Sequence, residues 1–157
     1  MATLFQMLSK HFLGGIRYVW IAALPVSELR VAIPLAIHAG VNPFEALALC
    51  VIGNLLPVLP LLWVFQPVTS WLRRHAALKR PVEWMWASNL RKSRSIRAYG
   101  LVGLAVFVAI PAPGTGAWTG AIIASLLKMP FWSSAVALSM GVVIAGIIVT
   151  ALSVMAL

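Results

Sequence analysis

Two stretches of 29 residues, Tyr99 to Leu127 and Met129 to Leu157, contain no charged side chain. About 20 apolar residues cross the hydrocarbon core of a bilayer as one helix, so both stretches are long enough to do so. The rest of the chain agrees: 62% of its residues are hydrophobic and 10% charged, where globular domains carry about 25% charged residues. A soluble domain of this size could not bury so much apolar surface. The expected class is an all-α polytopic membrane protein.

The charge is unevenly placed. The net charge is +9, and eight of the twelve basic residues lie between Arg73 and Arg97. Basic residues clustered between apolar spans mark a cytoplasmic loop under the positive-inside rule. Trp71, Trp84 and Trp86 stand among them, as in the aromatic belt of a membrane surface. The loop is therefore expected to bind anionic lipid. Interleaved aromatic and basic residues also suit single-stranded nucleic acid, but this placement between spans argues against a nucleic-acid partner. The lone cysteine, Cys50, sits in an apolar segment and reads as a small buried hydrophobe. The apolar stretch at Tyr18–Leu24 is short and runs into Pro25 and Glu28, with no small-residue cleavage pattern after it. It is expected to be retained.

The chain divides into six parts. Residues 1–15 mix Leu, Phe and Met with Gln6, Ser9, Lys10 and His11, which suits an interfacial amphipathic helix. Residues 16–42 are apolar but interrupted, 43–65 form a span, and 66–98 are the basic loop. Residues 99–128 are again apolar but broken, and 129–157 form a second span. The halves resemble each other. Leu24-Pro25 corresponds to Ile110-Pro111, and Asn42-Pro43-Phe44 to Met129-Pro130-Phe131. Paired Gly/Pro-broken segments in an internal repeat point to a transporter site.

Each broken segment reads either as a re-entrant hairpin or as a kinked spanning helix. If re-entrant, each enters and leaves on one side. The halves are then inverted repeats, each a broken helical hairpin plus one transmembrane helix. The loop lies inside, the first hairpin opens outward, the second opens to the cytoplasm, and the tips are expected near the midplane.

The second break, Pro111-Ala-Pro113-Gly114-Thr115-Gly116, should unwind a helix. Irregular backbone at membrane depth survives only when buried in protein or lining a wet cavity. A helix restarting after Gly114, with Thr115 as N-cap, would turn its N–H groups and dipole toward the membrane interior, where they suit a phosphate or carboxylate. Trp118 falls in its first turn. The competing reading is a structural kink satisfied by neighbouring helices. The string lacks the Gly-Lys-Ser/Thr ending of a phosphate loop.

The first break carries charge: Glu28 and Arg30 lie between apolar runs. Each charge at a helix centre costs roughly 2.5–3.5 kcal/mol on insertion scales. Glu28 is the candidate proton carrier, since a carboxyl removed from water holds its proton to higher pH. Arg30 could clamp a carboxylate or phosphate. The bland alternative is a structural ion pair. Asn54 is a weaker candidate, as a polar contact across helices. His38 reads as a solvated residue near the outer surface, and Glu45 as a favourable first-turn acid. Glu83 and His75 belong to the loop. The histidines are too scattered for a metal site, and no nucleophile–base set is visible. Neither a cofactor nor an enzymatic activity is expected. Gly141 and Gly146 with nearby alanines permit close helix packing, including between two copies in a homodimer.

Four strings carry a family resemblance: Ser27-Glu28-Leu29-Arg30-Val31-Ala32-Ile33-Pro34-Leu35, Gly53-Asn54-Leu55-Leu56-Pro57, Tyr99-Gly100-Leu101, and Ile110-Pro111-Ala112-Pro113-Gly114-Thr115-Gly116-Ala117-Trp118-Thr119-Gly120-Ala121. They resemble the prokaryotic small multidrug export proteins, a family grouped with the DedA-like membrane proteins. The last string is the most specific. The resemblance implies facing re-entrant hairpins, an inner-membrane location, and proton-dependent transport of drugs or phosphate-bearing lipids. The leading expectation is a proton-coupled exporter of a small amphipathic or phosphate-bearing lipid-like substrate. Its alternative is a non-transporting scaffold or subunit whose basic loop binds anionic lipid or a partner protein.

Overall fold

A computed structural model describes residues 14–25, 27–72, 94–112 and 114–156, without the side chains of 66–72, 94, 95 and 97. These residues form six helices and no strand: α1 (14–23), α2 (Glu28–His38), α3 (Pro43–Leu72), α4 (Arg94–Ala109), α5 (Ala117–Leu126) and α6 (Phe131–Met155). The expected interfacial helix lies outside the described residues except at its last two positions, which belong to α1. Of the expected basic loop, residues 73–93 lie outside them, α3 continues to Leu72 and α4 begins at Arg94.

Among the described residues, two helices are long and apolar enough to cross a membrane, Pro43–Phe65 within α3 and Phe131–Met155. The other apolar helices are short. An α-helix rises about 1.5 Å per residue, so α2 with 11 residues and α5 with 10 reach only about half of a ~30 Å hydrocarbon core. The 16 residues of α4 are split at Gly100 (φ 56°, ψ −127°), a conformation that a side chain would strain.

The chain forms two compact units, one from Met1–Leu56 with Ile144–Leu157, the other from Pro57–Val143. In the first, α1 runs beside α3 in the same direction: Gly15 lies against Glu45 and Leu49, and Gly53 against the Val19 backbone. Chain direction reverses between α2 and α3, because Ile33, Leu47 and Val51 all converge on Gly146. Hence α1 and α2 form a helical hairpin, with its tip at residues 24–27. In the second unit, Gly120 of α5 packs on Leu104 and Val108 of α4 and on Leu138 of α6. The chain therefore turns back over 110–116 and again over 127–130.

The same construction appears in both units. Each α-helical return turn has a left-handed residue, Gly40 (φ 84°) or Lys128 (φ 53°). Around Gly40, the N–H of Gly40 donates to Ile37 O at 2.9 Å and that of Val41 to Ala36 O at 3.0 Å. Around Lys128, the N–H of Lys128 donates to Ser125 O at 3.1 Å and that of Met129 to Ala124 O at 3.0 Å. Both are the doubly bonded helix stop that satisfies the last carbonyls. The next helix starts with its own device in the first unit: Asn42 Oδ1 accepts the Phe44 N–H at 3.0 Å, and Pro43 needs no donor there. The correspondence is 86 residues from Pro25 to Pro111 and 88 from Gly40 to Lys128. Two residues are thus added between tip and turn in the second unit.

Candidate functional site at the two helix breaks

The first tip is stitched by backbone bonds. The Leu24 N–H donates to Ile21 O at 3.3 Å, tightening the end of α1, and the Glu28 N–H donates to Leu24 O at 3.0 Å. Ser27 caps α2 without a side-chain bond. Glu28 then takes φ 46°, in the left-handed region, with only 8% of its surface exposed. A non-glycine residue there costs about 1–3 kcal/mol, and such strain clusters at functional sites. Arg30 is half-buried and lies within electrostatic reach of Glu28. Both charges thus stand in the first turn of α2, at the break that follows α1.

Asn54 belongs to the same unit but to α3. It is 1% exposed, and its Oδ1 has no hydrogen-bond partner among the described residues. Neighbouring Gly53 admits the α1 backbone at Val19. A buried amide oxygen left unpaired costs about 1–3 kcal/mol.

The second tip is closed by one hydroxyl together with backbone bonds, among them the Ala112 N–H donating to Ile110 O at 2.8 Å. Thr115 Oγ1 lies 2.7 Å from Ile110 O and 2.8 Å from Ala112 O, to which it donates, and accepts the Ala112 N–H at 3.3 Å. The Thr115 N–H donates to Ala112 O at 3.2 Å. Gly114 supplies the left-handed corner at φ 77°. Pro111 is exposed at the start of the turn, and Pro113 lies outside the described residues. The expected N-cap at Thr115 is corrected: Gly116 caps α5, in extended conformation and with no side-chain bond. The threonine hydroxyl serves the carbonyls behind it, because the turn brings them closer than the helix ahead. The first N–H groups of a helix have no intrahelical acceptor, so those of Ala117, Trp118 and Thr119 face the tip. The indole Nε1 of Trp118 is also buried without a partner among the described residues.

The sequence reading named Gly141 for close helix packing, but it did not single out Gly53 as a contact point, nor Lys128 as a left-handed corner. Their common spacing of 88 residues is the signal that pairs the glycines and links Lys128 to Gly40. Among the described residues, no group of His, Cys, Asp and Glu could hold a metal ion.

A family described as "Putative small multi-drug export protein" matches residues 28–148. The chain belongs to this family. Its matched region begins at Glu28 and contains both long apolar helices over most of their length. Family and helices together make this export-family protein a membrane protein. No curated protein and no solved structure matches the chain.

Proposed function

We propose that this export-family member is a small proton-coupled transporter of the prokaryotic inner membrane. The observation that carries the reading is the buried, left-handed Glu28 at a helix break beside Arg30. A membrane protein that retains ionisable groups at depth uses them, as a rule, for substrate or proton pathways. In this reading both hairpins are re-entrant and the two halves are inverted repeats. Short limbs of about half a bilayer support that arrangement. The basic loop between α3 and α4 lies in the cytoplasm, against anionic lipid.

Glu28 takes up and releases the proton. Arg30 holds the anionic group of a phosphate-bearing or amphipathic substrate. The uncapped start of α5, with its inward N–H groups and the Trp118 indole, favours an anion as well. A cation would have only Glu28 to balance it at this depth, since the chain's other acids are Glu45 in the first turn of α3 and Glu83 in the loop.

The test is proton and substrate flux in proteoliposomes, with a fluorescent phosphate-bearing lipid and cationic drugs as candidates. Glu28→Gln should fold normally and lose proton-coupled movement. Arg30→Ala should weaken selection for the anionic substrate. If the wild-type chain moves nothing and both variants match it in assembly, the transport reading fails and a scaffold role takes its place.

A further inference from the structure

Glu28 and Gly114 stand at matching distances from the prolines of their hairpins, Glu28 as the first residue of α2 and Gly114 three residues ahead of the first residue of α5. Each stands three residues after a proline, Pro25 or Pro111, and each has positive φ, 46° and 77°. At the second tip the residue is glycine, which enters this region freely because it has no Cβ. At the first it is a buried glutamate, for which the region is sparsely populated. Strained conformations of this kind persist only where the surrounding fold over-determines them.

We propose that the first tip is a glycine-type corner used as a rigid mount for a carboxylate, and that residue 28 is where the two hairpins have been chemically differentiated. The proposal rests on the transport reading of Glu28. The second tip and the first turn of α5, residues 110–119, contain no ionisable side chain. Acid chemistry is therefore confined to one tip, and the other supplies only neutral donors. The left-handed backbone fixes where the Glu28 side chain leaves the chain, independently of its rotamers. Glu28 is then costly to the fold and is kept for the group that it presents.

The mount has a diagnostic sign. In an ordinary helix alanine is more stable than glycine. At a left-handed corner the order reverses. The experiment compares Glu28→Gly, Glu28→Ala and Glu28→Asp in the full chain, by thermal unfolding in detergent and by proton flux in proteoliposomes. Both Gly and Ala remove the buried carboxyl, so their difference isolates the backbone. Glu28→Gly should unfold about 3 °C above Glu28→Ala. If Glu28→Ala unfolds at the same temperature or higher, the mount is overturned, whatever the flux. Glu28→Gly and Glu28→Ala should both lose proton flux. Glu28→Asp, which keeps a carboxyl on the same corner, should retain pH-dependent flux above theirs. Full flux in all three, with glycine still the more stable, leaves the corner standing and removes the carboxylate from transport.

Discussion

A Cβ built on Gly141 would stand 2.7 Å from the Ala105 carbonyl oxygen, so the α4 backbone rests directly on α6 at that point. Gly53 stands in the same relation to Val19, where α1 rests on α3. In each unit one glycine of the long helix admits the backbone of the first hairpin limb. Small residues at helix contacts allow such approach in membranes, where no hydrophobic drive holds helices together.

Adding a methyl group at these contacts forces backbone apart. Gly141→Ala and Gly53→Ala should each destabilise the protein by about 1–3 kcal/mol. Gly146→Ala provides the contrast: its nearest neighbour is the Leu47 Cδ1, at 2.6 Å from the built Cβ, and a leucine end can rotate away. Thermal unfolding in detergent should rank Gly146→Ala as the mildest of the three. Equal losses would mean that the backbone contacts are not the limiting ones.

Lys128 occupies a left-handed corner that Gly40 fills in the other unit. A side chain there costs roughly 1–2 kcal/mol relative to glycine. Lys128→Gly should therefore raise stability by about 1 kcal/mol, and Gly40→Ala should lower it by a similar amount. Both turns are exposed, and nothing lies within 4 Å of a Cβ on Gly40, so the effect comes from the local backbone rather than from packing against another element. A loss of stability in Lys128→Gly would contradict the backbone assignment.

The Thr115 hydroxyl carries the side-chain part of the closure of the second tip. Thr115→Val keeps the shape and removes three contacts, to Ile110 O, Ala112 O and the Ala112 N–H. The expected loss is about 1–3 kcal/mol. Thr115→Ser should recover most of it. The backbone bonds of the turn, from Ala112 N–H to Ile110 O and from Thr115 N–H to Ala112 O, remain in both variants, so amide exchange there should rise only as far as the valine variant loosens the turn.

Phe44 and Trp132 sit in the first turns of the two long helices and are 83% and 79% exposed. If the halves are inverted repeats, these first turns face opposite sides of the membrane. In a Cys50→Ala background, Phe44→Cys should react with an impermeant maleimide from outside the cell. Trp132→Cys should react only after the inner face is opened. Labelling of both from one side would refute the inverted arrangement.

Much of this was legible in the residues. Long charge-free runs dictate membrane helices, because lipid offers a chain no other way to satisfy its backbone. Prolines and glycines fix where those runs break, since they remove donors or admit φ values closed to other residues. Glu28 and Arg30 announce themselves by the cost of placing charge there. The repeat shows in Pro25 against Pro111, and Pro43 against Pro130.

Tertiary structure decided the rest. Folding back over 110–116 rests on the packing of Gly120 against Leu104 and Val108. A proline-glycine break is compatible with a bend or a full reversal, and only contacts between distant residues select one. The left-handed φ of Glu28 could not be read from the sequence, because glutamate has no preference for it and the surrounding fold imposes it. Thr115 likewise had two ways to use one hydroxyl, forward as an N-cap or backward to carbonyls. The turn settled that choice by bringing Ile110 O to 2.7 Å. Sequence thus determined which segments are apolar enough for lipid and where they break, through solvation and local backbone sterics. Packing determined how the breaks are shaped, because that depends on which distant groups come within reach.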